Sequence, residues 1–327
     1  VLAFRHYAEG HRVLEVVKSA EPLWIFVALG VQLMTYAAAA ALFRSLTVAM
    51  GFSVSLRRLY SISVAVDFLN NAFPASGASG ATFLARSLKV EGIPAARSLL
   101  LSTLYYLFNW LSFFALLAAA YLYLVATRPL TAGENALGAL ALGLGSAFLL
   151  GLLVFGRSRN LFVRFVQFGV RVLGRLARLV HRREPDAAIV TEQAAAFHDG
   201  FRATLTHPAT FTWSAVSAGL EHLLDIVTLG AIFLAFSTSV NFGVLTVGFF
   251  LANIVSWISF IPTGLGVFEG SLVAIYTAFG VPFEAAAVSV LVYRALSFWL
   301  PIPLGFALYR RLIRAPHALQ ATGEPVR

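Results

Sequence analysis

Arg294 is the tenth residue of Ala285 to Leu308, an apolar stretch that carries no other charge. An ionised side chain near the middle of a bilayer costs about 3 kcal/mol on insertion scales, so it reads as functional and requires an anion. A planar guanidinium matches a phosphate bidentately. The alternative anion is internal, Glu269 or Asp225, and the two pairings can alternate. Glu221, His222 and Asp225 share another apolar stretch, Ala209 to Phe236, with Glu221 and Asp225 one helical turn apart. They read either as a polar cavity wall or proton-linked relay, or as interhelical hydrogen-bonding groups. Asp67, Asn70 and Asn71 end a third stretch and are placed at a cavity mouth, whereas Asn109 reads as a cap or bridge between helices. With Tyr293 beside the arginine, the substrate-binding candidates are Arg294, Glu269, Asp67, Asn70, Asn71, Glu221, His222, Asp225 and Tyr293.

Other chemistry is poorly supported. His222 and Asp225 lack a further metal ligand at convincing spacing, so no metal is expected. The chain has no cysteine, which excludes disulfides, thiolate sites and a Cys nucleophile. His198 and Asp199 fall in amphipathic or loop contexts without a nucleophile and base in register, and the expectation is no enzyme and no catalytic residue. Gly264, Gly266 and Gly270 have the wrong spacing for a dinucleotide loop and follow no strand, so no cofactor is expected.

The elements that must position these residues are membrane spans. Of 327 residues 59% are hydrophobic and 12% charged, with mean hydropathy +0.81. Several apolar runs exceed the roughly 18 residues that mark a membrane-spanning helix. The fold class is therefore an all-α polytopic membrane protein. Residues 1–22 mix acidic and basic side chains as an interfacial segment, and 23–155 form a first membrane repeat with spans at Leu23 to Phe43, Ser98 to Val125 and Ala136 to Phe155. Residues 156–207 form a basic amphipathic connector, 208–312 a second repeat, and 313–327 a polar tail. The chain begins at Val1 without a signal-peptide pattern, which suggests that a native N-terminal stretch is missing.

In the connector, Arg164, Arg171, Arg175, Arg178 and Arg182 recur on one helical face opposite Phe165, Phe168, Val172, Leu176 and Leu179. This reads as a helix lying on an anionic leaflet, or as a solvated connector packed on the domain. With the connector in the cytoplasm, 19 of the 24 Lys and Arg fall on that side, as the positive-inside rule requires. The net charge of +9 is thereby explained by anionic lipid, and nucleic acid is excluded as a partner. A multi-pass protein of a bacterial cytoplasmic membrane is expected, with a homo-oligomer and a separate lipid-modifying enzyme open as partners.

NNAFPASGASGATFL, 70–84, interrupts this apolar chain, and FIPTGLGVFEG, 260–270, does so again. A shift of 188 residues lays Phe73-Pro74 on Ile261-Pro262, Gly92-x-Pro94 on Gly280-x-Pro282 and Tyr105-Tyr106 on Tyr293-Arg294. Three crossings separate corresponding points, so the second copy is inverted, and such repeats place broken helices near the bilayer midplane. Pro removes an N–H and Gly permits sharp turns, so each interruption reads as a re-entrant hairpin, with Pro74, Gly77, Gly80, Pro262, Gly264, Gly266 and Gly270 as hairpin backbone. A pair of Pro-kinked ordinary spans is the alternative.

FPASGASG followed by GIP, and IPTGLGVFEG followed by GVP and YR, resemble the two hallmark regions of the lysylphosphatidylglycerol synthetase transmembrane, or flippase-like, family. The likeness covers about residues 23 to 312. It implies a membrane domain that moves a phosphate-headgroup lipid between leaflets: a phospholipid, an aminoacylated phospholipid or a polyprenyl-phosphate-type lipid. Membrane phospholipids, with anionic lipid at the cytoplasmic leaflet, are then the partners. The helix usual before Leu23 is not seen here, Ala78 and Ser79 replace a Gly-rich pair, and no soluble transferase follows residue 312. The expected function is a flippase or scramblase; the alternatives are a membrane-embedded enzyme of lipid or lipid-linked sugar modification, or a non-transporting assembly partner.

Overall fold

A computed structural model describes residues 20–73, 78–178, 187–259 and 261–322, all of whose regular elements are helical. Pro74 and Gly77, two of the expected hairpin residues, lie outside the described residues, as does most of the N-terminal segment. The helices are α1 (Pro22–Ala49), α2 (Leu56–Ala72), α3 (Ala78–Val90), α4 (Ala95–Thr127), α5 (Ala132–Arg157), α6 (Arg159–Arg178), α7 (Ala187–Leu205) and α8 (Pro208–Ala235). There follow α9 (Phe242–Ile258), a 3₁₀ turn at Pro262–Gly264, α10 (Val267–Ala278), α11 (Phe283–Arg294), a π-helical turn at Ala295–Trp299 and α12 (Pro301–Thr322). Among the described residues, five helices are long and apolar enough to cross a membrane: α1, α4, α5, α8 and the continuous run Phe283–Arg314. The chain is thus an all-α, multi-pass membrane protein.

Local sequence sets the helix starts. Proline occupies the first turn of α1 and α8, where its missing N–H costs nothing. Thr131 and Glu134 form a reciprocal capping box on α5, and Arg128 pairs with Glu134 at 2.7 Å. The two Gly-x-Pro corners have one backbone solution. Gly92 and Gly280 take φ of 85° and 89°, which glycine adopts without strain. Ile93 and Val281 donate to Leu88 and Tyr276 carbonyls, at 3.1 and 3.0 Å, and Pro94 and Pro282 cap α4 and α11.

Helices α1 and α8 run antiparallel along their whole length. Glu21 N–H donates to the Ala235 carbonyl at 2.8 Å at one end, and the Ser45 and Ser214 hydroxyls lie 2.6 Å apart at the other. Two helical hairpins flank this pair. In the first, Arg58 at the start of α2 and Glu91 just past α3 form a 2.7 Å salt bridge, so both outer ends lie together. In the second, Tyr276 near the end of α10 donates its hydroxyl to the Leu245 carbonyl at the start of α9, at 2.8 Å. Helix α4, 33 residues and thus about 50 Å long, relates the two. Arg97 at its start lies over the Phe52 ring beside the first hairpin, and Arg128 at its end lies over Phe279 beside the second. The open ends of the two hairpins therefore lie beside opposite ends of α4, and the 3₁₀ turn at the tip of the second reaches α2 of the first. Two buried cores follow the same division: Leu59, Ile62, Leu84 and Leu88 around α2 and α3, and Phe250, Leu272 and Tyr276 around α9 and α10.

On α6, Phe162 stacks on Phe197 of α7, while Leu161, Phe165 and Phe168 stand exposed beside the exposed Arg164 and Arg171. The side chains expected to continue this face beyond Arg171 lie outside the described residues.

Candidate functional site

A cavity of about 600 Å³ lies where the tip of the second hairpin approaches α2, walled also by α1, α4, α8 and α11. It gathers Asp67, Asn70 and Asn71 from α2, Glu221 and Asp225 from α8, and Tyr293 and Arg294 from α11. Residues separated by more than 200 positions thus face one space. Tyr105 and Tyr293, equivalent under the 188-residue shift, both line it.

Arg294 is held from three sides. Its Nε donates to Glu269 Oε1 at 2.5 Å, with side chains only 13% and 17% exposed. Its guanidinium lies over the rings of Phe268 and Phe298, at 4.9 and 4.4 Å. Its Nη2 is buried and has no hydrogen-bond partner among the described residues. The widened π turn begins directly after it, and Leu300 N–H reaches back to the Ala295 carbonyl at 2.9 Å. Pro301 explains the turn, because its ring would crowd the carbonyl of the preceding α turn and it brings no N–H. Glu269 has a second task. Its Oε2 accepts the Gly266 N–H at 2.7 Å, capping α10, so it is a fixed member of the second hairpin.

The other carboxyls take neutral donors. Tyr36 hydroxyl donates to Asp67 at 3.0 Å, Gln32 amide to Asp225 at 3.2 Å, and Tyr105 hydroxyl to Glu221 at 3.0 Å. Gln32 is only 3% exposed and its Oε1 has no partner among the described residues. The cavity therefore presents an acceptor-rich wall from α1, α2 and α8 opposite one guanidinium. Gln32, Tyr36 and Asn253 were not among the sequence candidates; their signal is a neutral polar residue inside an apolar helix, which hydropathy barely registers.

His222 does not join this wall. Its Nε2 meets the Asn109 carbonyl at 3.1 Å, and its ring packs edge-on against Phe113 and Phe250. These contacts turn the imidazole toward α4 and α9, while Glu221, one position earlier and about 100° round the helix, faces the cavity. The His222 contact uses the Asn109 backbone, while the Asn109 side-chain amide donates to the Tyr105 carbonyl of its own helix at 3.2 Å.

The hairpin residues divide by need. Gly264 takes φ 64° and a Cβ there would overlap the Ser256 side chain; Gly266 takes φ 80°. Gly80 donates its N–H to Asn70 Oδ1 at 3.2 Å, and a Cβ would strike that amide. Pro262 opens the 3₁₀ turn. Gly270 differs: it lies inside α10 with nothing near its missing Cβ, so the turn makes no demand on it.

An all-α membrane bundle with opposed hairpins around a buried polar cavity is the class that fold and site define. Residues 1–305 match the family described as the lysylphosphatidylglycerol synthase TM region, and the chain belongs to that family. Among curated proteins, two stretches are similar to proteins described as UPF0104 membrane protein from Methanothermobacter thermautotrophicus. One is 36% identical over 86 residues, covering 26% of each chain. The other is 29% identical over 111 residues, covering 34% of this chain and 33% of the relative. The matched stretches thus span about a quarter to a third of those relatives.

Proposed function

We propose that the chain moves a phosphate-headgroup lipid between the leaflets of a cytoplasmic membrane, and that it does so as a carrier without chemistry on the lipid. The observation that carries this reading is the buried, unpartnered Nη2 of Arg294, a charged donor held at the edge of a polar cavity inside an apolar bundle. The headgroup phosphate meets that donor, the headgroup's own hydroxyl or ammonium donors meet Gln32 Oε1 and the carboxyls, and the acyl chains stay in lipid. The two hairpins act as re-entrant elements of an inverted repeat, supported by the matching Gly-x-Pro corners and by their approach from opposite ends of α4. The test is reconstitution of the purified chain in liposomes with a fluorescent phospholipid, scored by the fraction accessible to a membrane-impermeant quencher. Movement no faster than in protein-free liposomes overturns the reading.

The three carboxyls facing one cavity favour a second reading, an enzyme acting on the headgroup. Mass spectrometry of the lipid after the same assay separates the two: an unchanged headgroup supports transport, and a changed one supports the enzyme.

Sidedness follows from charge, with the Arg58–Glu91 end cytoplasmic. In this Cys-free chain, Lys89→Cys and Ser239→Cys, both exposed positions, are expected to label from opposite faces of oriented vesicles. Labelling from one face removes the inverted arrangement. For α6, a fluorophore on Phe168→Cys is expected to report an apolar environment in anionic liposomes. Arg164→Glu with Arg171→Glu lowers that signal at least several-fold, at about 1 kcal/mol for each basic residue at such a surface. An unchanged signal means that α6 does not rest on anionic lipid.

A further inference from the structure

A second and larger cleft, about 1750 Å³, opens among the last turns of α1, the first turns of α4, α7 and the first half of α8. It shares no lining residue with the polar cavity. Its long walls are apolar and open to the surroundings: Val48, Leu99, Val216 and Leu220 are each between 45% and 57% exposed, and Trp213 is 66% exposed. Its polar lining consists of Arg44, Arg97, His207 and four Ser or Thr residues, and no Asp or Glu among the described residues lines the cleft. Neither arginine enters a salt bridge among the described residues; Arg97 rests on the Phe52 ring, 5.4 Å from its centroid.

An apolar groove that ends in unpaired guanidinium groups at one end of a membrane bundle fits an amphiphile with the opposite charge. The space exceeds the roughly 300–1,000 Å³ of ordinary small-molecule pockets, as an acyl chain with its headgroup requires. We propose that this cleft holds a resident anionic phospholipid, distinct from any lipid handled in the polar cavity. Its phosphate lies between Arg44 and Arg97 with His207 beside them, and one acyl chain runs along Leu99, Val216 and Leu220. The proposal rests on charge complementarity and on the lateral opening, and it stands whether or not the chain transports lipid.

The test uses the full chain, purified in detergent, stripped of lipid and titrated with phosphatidylglycerol or phosphatidylcholine, with bound lipid counted by native mass spectrometry. Loss of about fivefold in affinity per guanidinium, hence roughly 25-fold for Arg44→Gln with Arg97→Gln, is expected for phosphatidylglycerol and little change for phosphatidylcholine. Val216→Trp keeps both arginines and fills the groove, so it is expected to remove retention of both lipids. All three positions are exposed, and an unchanged thermal midpoint confirms folding. Undiminished phosphatidylglycerol binding in the double arginine variant overturns the proposal. So does wild-type retention in Val216→Trp, which would mean attraction to a charged surface without a seated chain. Arg294→Gln with Glu269→Gln, which removes the buried pair as a whole, leaves this lipid bound; its loss there at an unchanged thermal midpoint would assign the retained lipid to the polar cavity and equally overturn the proposal.

Discussion

Arg294→Gln is expected to reduce lipid movement at least a hundredfold while destabilising the bundle by about 3 kcal/mol, since it leaves Glu269 as an unpaired, largely buried charge. Arg294→Lys keeps the charge but loses the planar fork that serves Glu269 through Nε and leaves Nη2 for another anion. It should be well tolerated in stability and transport poorly. The double change Arg294→Gln with Glu269→Gln is the informative one. The amide that replaces the Glu269 carboxylate can still accept the Gly266 N–H through its oxygen, so the cap on α10 survives, and removing both charges relieves the desolvation cost. Stability should return to near the wild-type value without recovery of transport. Recovery of both would mean that the pair is purely structural and that no phosphate uses the guanidinium.

Much of the scaffold behind this prediction is legible in the sequence, because its signals are local. Proline at a helix start, glycine in a left-handed corner and an uncharged run of more than 20 residues each constrain their own few residues, so the long spans and the two breaks can be read directly. The Gly92 and Gly280 corners show this best: one tripeptide pattern yields one set of dihedrals and hydrogen bonds twice. The site is only half legible. Charged residues in apolar stretches announce themselves, and Asp67, Glu221, Asp225 and Arg294 do come to one cavity. Gln32 and Tyr36 stay hidden because a neutral polar side chain changes hydropathy little, and their partners lie 193 and 31 residues away. His222 misleads in the opposite sense, since closeness in sequence does not place a residue on the same helical face. Glu269 carries a signal that was there to be used: an acid three residues after Gly266, at the position from which a side chain reaches back to a helix N-terminus.

Gly264→Val is expected to disable the protein most thoroughly among single changes at the second hairpin, with loss of about 3 kcal/mol or more of stability and of lipid movement together. Two costs add. The residue holds φ 64°, a left-handed conformation that costs about 1–2 kcal/mol for a residue with a Cβ and more for a β-branched one. A Cβ there also runs into the Ser256 side chain, and Ser256 and Gly264 both line the polar cavity, so any relief pushes the hairpin tip away from α2. The costs can be separated. Gly264→Ala in a Ser256→Ala background loses the hydroxyl clash and keeps the dihedral penalty, so it should recover part of the stability lost by Gly264→Ala alone and stop about 1–2 kcal/mol short of Ser256→Ala. Gly270→Ala supplies the contrast. It lies in helix α10 with open space at its Cβ, so it should leave transport intact and be neutral or stabilising by up to about 1 kcal/mol through helix propensity. Thermal unfolding in detergent gives the stability order, and the liposome quenching assay gives the functional one. If Gly264→Ala proves as harmless as Gly270→Ala in both, the turn at Pro262–Gly264 does not set the geometry of the cavity floor, and the hairpin tip must be able to reform around a side chain.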